Sequence, residues 1–406
     1  MGSLEKTEGG ITFPQGFRAA GVEAHVKYPN RKDFALLVSD VPAACAGIFT
    51  TNAIAAAPVR LDRERVRGGV LRAVAVNTGI ANACTGKVGE VDALKRSQLV
   101  AEALGIPEAQ VAVCSTGVIG MTLPMDRIAE GVRLAVPALS YDAQAGADAA
   151  RAIMTTDTFP KSAAYALDIG GVQVRFGGMS KGAGMIEPYM ATMLGFVTTD
   201  AEVPAADFDE AVREAANASF NRIVIDNDRS TNDTLLLLAN GKSGVKIDHS
   251  SPNWGDFKAA VTAVCKDLAK QMVMDGEGVS KFVTLTVSGA VDDAEAQRIA
   301  RSIARSMLVK TSWYGTDPNW GRVIAAAGYS GAQVVEEKVR IAYGGIAAFD
   351  RGTVVADAET LAAMKKAMQE RAFTVDVDLG LGSGSCTIYT SDLTHQYVTI
   401  NADYTT

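Results

Sequence analysis

The chain has 406 residues, of which 48% are hydrophobic and 21% charged, and its formal net charge at pH 7 is −7. That length is enough for two domains or for one large layered domain with a sizeable core. The acidic balance, without a run of basic residues, argues against a nucleic-acid-binding or membrane-surface protein. No apolar stretch approaches the roughly 20 residues that a membrane-spanning helix needs, so the composition indicates a soluble globular protein.

The N-terminal segment MGSLEKTEGG has no apolar core and is not rich in arginine, so neither a signal peptide nor a transit peptide is predicted. The five cysteines are odd in number, scattered and without a CxxC pair, which is typical of reduced thiols in a cytoplasmic protein. The three histidines, His25, His249 and His395, are isolated and lack the HxxxH or HxH spacing of a metal site. We therefore predict no metal, and a catalytic base need not be an imidazole.

Strand-like and helix-like patterns of apolar residues are interspersed along the chain. Period-two or continuous apolar runs predict strands at residues 71–77, 172–176, 282–288, 339–343 and 373–379. Helical spacing predicts helices at residues 91–104, 142–154, 206–216, 257–274 and 294–306. The order lacks the regular alternation of a Rossmann or barrel protein, so we predict a mixed α+β layered architecture.

A turn of small residues, CSTGVIG at residues 114–120, follows the apolar run VAV. Such a turn at the end of a strand can aim two hydrogen-bond donors at one point, as an oxyanion hole requires. Many Ser-Thr-Gly turns have no function, so this pattern alone is a weak indication.

Residues 181–196 read KGAGMIEPYMATMLGF, in which Thr192 follows the small Ala191. One interpretation is a glycine-rich turn that leads into a buried element, with Thr192 as a hydrogen-bonded core hydroxyl. The other is a nucleophile that becomes active when the chain is cut before Thr192. The liberated α-amine, with an ordinary pKa of about 7.7–8.0, would then serve as the base. The residues alone permit both interpretations.

Three polar or glycine-rich segments are predicted to be structural. DNDRSTNDT, residues 226–234, has Thr231 and Leu237 where a calcium loop needs Gly and Glu, so we interpret it as a polar turn before the buried run LLLLA. GLGSGSC, residues 380–386, lacks the GK[ST] ending of a phosphate-binding loop and is predicted to be a hairpin turn. NTGIANACTG, residues 77–86, lacks the GxGxxG spacing of a dinucleotide site.

Several longer motifs together resemble the ornithine acetyltransferase family, the glutamate N-acetyltransferases of the cyclic arginine pathway. They are IMTTDTFPK, KGAGMIEPYMATML, STNDT, DGEG, SMLVKT, DPNWGR and the terminal NADYTT. The resemblance runs from Gly16 to Thr406. It implies a four-layer α/β/β/α fold similar to that of N-terminal-nucleophile hydrolases. It also implies self-cleavage into an α chain, residues 1–191, and a β chain, residues 192–406, which form one interlocked catalytic unit and assemble as a heterotetramer of two α and two β chains.

The resemblance also implies a ping-pong reaction without a cofactor. Thr192 would take the acetyl group from N-acetylornithine, release ornithine and pass the acetyl group to glutamate. Three alternatives remain: a bifunctional enzyme that also uses acetyl-CoA, a paralogue in secondary metabolism, and an unprocessed protein that only binds amino acids. No nucleotide motif decides the question of acetyl-CoA.

Position by position, the family match assigns Thr192 as the nucleophile and Thr116 and Gly117 as the oxyanion hole. The substrate-binding set that it implies is Thr155, Lys181, Thr192, Glu277, Asn401 and Thr406. A lysine suits the carboxylate of either amino acid, and a glutamate suits the amine of ornithine. Without the resemblance, each could equally be a solvated surface residue. Arg229 stands where threonine is common in the family, and this difference could affect substrate preference.

Overall fold

The computed structural model describes residues 2–187 and 193–403. Ala191, Thr192 and Thr406 of the predicted site therefore lie outside the described residues. Within them the chain divides into a first unit, residues 2–187, 193–221 and 228–272, and a second unit, residues 222–227 and 273–403. The predicted processing boundary between residues 191 and 192 differs from this division and stays a prediction.

Strands and helices are interspersed along the described part of the chain. In the described ranges the strands are β1 (Leu4–Thr7), β2 (Phe17–Val22), β3 (Phe34–Phe49), β4 (Val70–Asn77), β5 (Val111–Ser115), β6 (Lys161–Ile169), β7 (Val172–Lys181), β8 (Leu194–Thr199), β9 (Ile223–Val224), β10 (Thr234–Ala239), β11 (Phe282–Ala290), β12 (Arg340–Tyr343), β13 (Ile346–Asp350), β14 (Thr353–Val354), β15 (Ala372–Asp378) and β16 (Gly384–Ser391). The helices are α1 (Ala57–Arg67), α2 (Gly86–Leu104), α3 (Met125–Ala135), α4 (Ala143–Ala152), α5 (Ala205–Ala218), α6 (Trp254–Met274), α7 (Asp293–Arg305), α8 (Met307–Tyr314), α9 (Trp320–Gly328), α10 (Ala358–Gln369) and α11 (His395–Asp403).

The first unit is built on one mixed sheet in the order β1-β6-β7-β8-β10-β3-β4-β5, with β2 also paired to β3. Strand β8 lies between β7, to which it is antiparallel, and β10, to which it is parallel. Since β7 precedes the predicted processing boundary and β8 follows it, both sides of that boundary contribute strands to the same sheet.

Both faces of this sheet are covered by helices. Along β3, Phe34 and Leu36 join a buried cluster with α3, whereas Ala35 and Leu37 join a second cluster that includes residues of α4. Successive side chains of a strand point to opposite faces, so this alternation follows directly from β geometry. The first unit is thus a sheet with an apolar core on each side.

The second unit has its own sheet, in the order β14-β13-β12-β15-β11-β16-β9. In β15, Phe373, Val375 and Val377 are buried, whereas Thr374 is exposed. The period-two pattern predicted for this segment is therefore confirmed. The apolar face packs against side chains of α7, α8, α9 and α10 in a single core.

The predicted α+β layered class is confirmed, and each strand and helix predicted from periodicity is present with shifted ends. The 16-residue strand β3 was not predicted. It contains Pro42 and a run of small residues that obscures the strand pattern, and its register with β4 shifts between Val38 and Ala43. Because proline cannot donate to a ladder, an irregularity at this point lets the strand continue.

The hairpin predicted for residues 380–386 is wrong. This segment connects β15 to β16, which lie on opposite sides of β11. Its backbone bonds to the end of β11, since Leu381 and Gly382 donate to the carbonyl of Gly289 at 2.7 and 2.9 Å. Gly289 has φ +67°, and a Cβ there would lie 2.2 Å from the side chain of Asp378, so a glycine is required where the connection crosses. Turn residues indicate a loop but not which strands it joins.

Other structural expectations are met. Residues 234–239 form the wholly buried strand β10 after the polar turn, as predicted for DNDRSTNDT. The five cysteines are free thiols, four of them buried and Cys84 exposed. Over residues 2–187 and 193–403, none of the helices has the length and apolar character needed to cross a membrane.

Candidate active site

The turn that follows β4 packs tightly against the turn that follows the adjacent strand β5. The amide of Val118 donates to the carbonyl of Gly79 at 3.1 Å, and the amide of Ala81 donates to the carbonyl of Val118 at 2.9 Å. Gly117, which precedes Val118 in the second of these turns, has φ +128°. A Cβ at Gly117 would lie only 2.2 Å from the carbonyl carbon of Gly79. Only glycine fits this position without displacement of the facing turn.

Two hydrogen-bond donors remain at this turn. The amide of Thr116 is already used, because it donates to the carbonyl of Asn77 at 3.1 Å. The amide of Gly117 has no acceptor within the part of the chain that the structure describes. The hydroxyl of Thr116 accepts a hydrogen bond from Lys181 Nζ at 3.4 Å and keeps its own proton to donate. A hydroxyl and a neighbouring amide can together stabilise a developing oxyanion.

A buried aspartate joins two of the predicted binding segments. One Asp157 oxygen accepts from Lys161 Nζ at 2.6 Å and from the amide of Gly182 at 2.7 Å, while the other accepts from the amide of Thr155 at 3.0 Å. Burial alone would raise the pKa of Asp157, but the charges of Lys181 and Lys161 outweigh it and hold the pKa below its usual range. Asp157 is therefore an anion that fixes Thr155 and the end of β7.

The charged side chains of this centre are buried. Lys161 and Asp157 have no exposed side-chain surface, and Lys181 is only 8% exposed. Burial raises the pKa of nearby Asp233 well above its usual range, although the Ser230 hydroxyl and the charge of Lys181 oppose this. A lysine in such surroundings can bind a carboxylate through a charge-assisted hydrogen bond.

In the second unit, two further predicted residues bind each other. Asn401 Nδ2, on α11, donates to Glu277 Oε2 at 2.8 Å and to the carbonyl of Tyr397 at 3.0 Å. Glu277 is buried, whereas Asn401 is exposed. The structure therefore brings together Thr116, Thr155 and Lys181 in the first unit, and Glu277 with Asn401 in the second.

Sequence reasoning missed Asp157, Lys161 and Asp233. Asp157 and Lys161 stand in the motif IMTTDTFPK, and Asp233 stands in STNDT. The family resemblance includes both motifs but assigns no role to these three residues. A useful signal was available, because a charged residue in a segment that leads into a buried strand needs a partner. The contact between Lys161 and Asp157 lies within one motif, whereas the influence of Lys181 on Asp157 could not be predicted, since Lys181 lies on β7.

The histidines lie elsewhere. All three are exposed, with His249 Nδ1 3.1 Å from Asp207 and the ring of His395 edge-on to Tyr314 at 5.6 Å. Burial raises the pKa of Asp33, although hydrogen bonds from the backbone amides of Ala24 and Val26 and the proximity of His25 oppose this. Among the residues that the structure describes, no group of three or more His, Cys, Asp or Glu is arranged to hold a metal ion.

Two buried lysines near a strained glycine turn are an arrangement suited to an enzyme that acts on an anionic substrate. The family model described as "ArgJ family" matches residues 18–406. The chain belongs to the ArgJ family, and the family resemblance predicted from the motifs is confirmed.

Individual relatives agree with this assignment. The chain is 49% identical to the arginine biosynthesis bifunctional protein ArgJ of Symbiobacterium thermophilum, over 99% of this chain and 100% of that protein. It is also 49% identical to the protein of the same name from Geobacter sulfurreducens, over 97% and 99% of the two chains. A crystal structure of that protein from Bacillus halodurans is 40% identical with a TM-score of 0.51, and covers 52% of this chain and 100% of its own.

Proposed function

We propose that this protein transfers the acetyl group of N-acetylornithine to glutamate in arginine biosynthesis. Membership of the ArgJ family and the names of the full-length relatives support the pathway. The observation that carries the proposal is the strained Thr116–Gly117 turn, whose Thr116 hydroxyl lies 3.4 Å from the buried Lys181 Nζ and keeps its own proton to donate. Donor and acceptor amino acids both carry a carboxylate, a group that a lysine such as Lys181 can bind.

A single self-cleavage precedes the proposed cycle: the Thr192 hydroxyl attacks the Ala191 carbonyl, the C–N bond breaks to free the Thr192 α-amine, and water hydrolyses the resulting ester. The Thr192 hydroxyl then attacks the acetyl carbonyl, and its α-amine takes the proton. The tetrahedral oxyanion is stabilised by the Thr116 hydroxyl and the Gly117 amide. The C–N bond breaks, ornithine leaves with the proton on its amine, and acetyl-Thr192 remains. The amine of glutamate attacks this ester, so that N-acetylglutamate forms and the Thr192 hydroxyl is restored.

The proposed binding roles follow from charge. Lys181 pairs with a substrate carboxylate, and Asp157 holds Lys181 and Thr155 in place for this. Glu277 provides a counter-charge for the side-chain amine of ornithine, with its carboxylate oriented by Asn401. Thr406 completes the proposed set. Nucleophile, base and oxyanion donors are all protein groups, so the cycle needs neither a metal nor an organic cofactor.

A second donor is proposed because the relatives are named bifunctional proteins. Purified protein should be incubated with glutamate and either N-acetylornithine or acetyl-CoA, with N-acetylglutamate measured by mass spectrometry. Product from N-acetylornithine supports acetyl transfer, and product from acetyl-CoA supports the second activity. A protein that only binds amino acids would make neither. A secondary-metabolism paralogue would transfer acyl groups only between other amino acids.

We further propose a cytoplasmic heterotetramer of two α and two β chains. The free, mostly buried thiols agree with a reducing compartment. Denaturing electrophoresis should separate two chains of comparable mass, and light scattering of the native protein should give the mass of two copies of each. One band at full length would contradict processing.

Substitutions at the two donors should lower turnover. Thr116→Ala removes a single donor, so kcat should fall by a factor on the order of 10²–10³ while KM changes little. Gly117→Ala should be at least as damaging, because its Cβ would overlap the carbonyl of Gly79. Gly120→Ala is the matched control, since Gly120 also has a positive φ but nothing lies within 4 Å of its Cβ position. A rise in KM at constant kcat for Thr116→Ala would instead indicate a binding role.

The pH dependence should identify the base. The α-amine must be neutral to accept a proton, so activity should fall as the pH drops through its pKa, ordinarily about 7.7–8.0. The positive charge of Lys181, if it lies close to the amine, would lower that pKa and move the fall to lower pH. This acid limb should persist when His25, His249 and His395 are replaced together. If a folded, processed triple variant loses this acid limb, the base is an imidazole and not the α-amine.

A further inference from the structure

A buried asparagine ties together the two packed turns of the candidate site. Asn232, which is 6% exposed, directs its amide nitrogen at two carbonyls: that of Ala81 at 2.6 Å and that of Ser115 at 2.9 Å. Ala81 belongs to the turn after β4, and Ser115 immediately precedes the Thr116–Gly117 turn. One side chain thus sets the spacing between the turn that carries the donors and the turn that supports it.

The amide of Asn232 is itself held in orientation. Its oxygen accepts a hydrogen bond from the Thr231 hydroxyl at 2.6 Å, which leaves the nitrogen to face the two carbonyls. Thr231 is fixed in turn, because its carbonyl accepts from the amide of Ala56 at 2.9 Å. Hydrogen bonds at both the amide oxygen and the amide nitrogen therefore fix the orientation of the Asn232 side chain.

A second buried group supports the same turns from behind. Arg96, with no exposed surface, donates through Nη1 to the side-chain oxygen of Asn77, to the carbonyl of Cys114 at 3.0 Å and to the Ser115 hydroxyl at 3.1 Å. Asn77 also accepts the amide of Thr116. The donor turn is consequently held by polar contacts on two sides.

We propose that Asn232 is a positioning residue for the Thr116 and Gly117 donors. This inference rests on the proposed function, in which those donors stabilise the oxyanion. An oxyanion hole acts only when its donors are held within about 0.5 Å of their productive positions, roughly 3 Å from the developing charge, so a residue that fixes the turn should affect kcat far more than KM. A residue that merely stabilises the fold would not produce this separation.

The same strand offers a matched control. Asn240 follows the other end of β10, is 8% exposed, and directs its amide nitrogen at the carbonyl of Gln15 at 2.9 Å and at the Ser39 hydroxyl at 3.5 Å. Asn232→Ala and Asn240→Ala each remove a buried amide with two acceptors. We expect similar losses of thermal stability in the two variants, but a fall in kcat of about 10- to 100-fold only in Asn232→Ala, with KM within about threefold.

Two further variants keep the test decisive. Asn232→Asp places a carboxylate oxygen against two carbonyl oxygens and should lower kcat at least as much as Asn232→Ala. Thr231→Val removes only the hydroxyl that orients the amide, and it should lower kcat by a factor on the order of 2 to 10. It provides the test if Asn232→Ala fails to fold.

Wild-type protein that makes no N-acetylglutamate from either donor overturns the proposed function and this inference with it. Active wild-type protein with unchanged kcat in Asn232→Ala, or in Thr231→Val where the former does not fold, overturns the positioning role alone.

Discussion

Replacement of Thr192 by alanine should abolish both chain cleavage and acetyl transfer, which is the largest effect that the proposed mechanism predicts. One hydroxyl serves both steps, since it attacks the preceding peptide bond during processing and the acetyl carbonyl during turnover. Loss of a catalytic nucleophile typically lowers kcat by a factor on the order of 10⁴–10⁶. Intact-mass spectrometry should detect the uncut chain, and an assay with N-acetylornithine and glutamate should detect no product above background.

Thr192→Ser is the matched control for this experiment. It keeps the hydroxyl but loses the methyl group that restricts the side-chain rotamer, so cleavage and turnover should be slower and still measurable. A Thr192→Ala protein that is cut and fully active would refute the nucleophile assignment. Cleavage of Thr192→Ala without turnover would separate the two steps and assign processing to another group.

Asp157→Asn should give the second largest effect, on stability as well as turnover. The change is nearly isosteric but removes the charge of the carboxylate that accepts from Lys161 at 2.6 Å in a fully buried pair. Removal of one partner from a buried ion pair typically costs about 3–5 kcal/mol in free energy of unfolding, because the other charge is left uncompensated. Urea unfolding at pH 7 should report this loss, and kcat/KM should fall because Lys181 and Thr155 lose their common anchor.

The pH dependence of stability provides an independent check on Asp157. Its folded pKa is lowered, so its stabilising contribution is complete above the unfolded pKa of about 3.9 and is lost as the pH falls through the folded value. The free energy of unfolding of the wild type should therefore fall more steeply below about pH 4 than that of Asp157→Asn. Asp248→Asn is a suitable control, because Asp248 also has a lowered pKa from Ser250 and Ser251 but is exposed. Equal stability losses in the two variants would argue against a special role for the buried pair.

The sequence predicted the elements whose apolar period is strong. Residues 373–379 alternate cleanly and form β15, whereas β3, interrupted by Pro42 and small residues, was not recognised. The connection after β15 was predicted to be a hairpin, but β15 and β16 are not paired, because β11, which is distant in sequence, lies between them. Local pattern determined the elements, and long-range pairing determined how they are joined.

The candidate site shows the same division. The motifs identified Thr116, Gly117, Thr155 and Lys181, and the structure places their side chains or backbones in one neighbourhood. Why residue 117 must be glycine could not be predicted, since the atoms that exclude a Cβ belong to Gly79 on another turn. The lowered pKa of Asp157 could not be predicted either, because it depends on the charges of two lysines that the fold brings close to it.

The position of β8 has a consequence for a chain that is cut before it. Hydrogen-bonded on one side to β7 and on the other to β10, β8 is an interior strand of its sheet. Opening the chain between residues 191 and 192 would create two termini but no new unpaired sheet edge, so it would not add the aggregation hazard of an exposed strand. The new N-terminus would remain tethered to Leu194 by a two-residue span of at most about 7 Å. Covalent continuity and strand order are thus separable here.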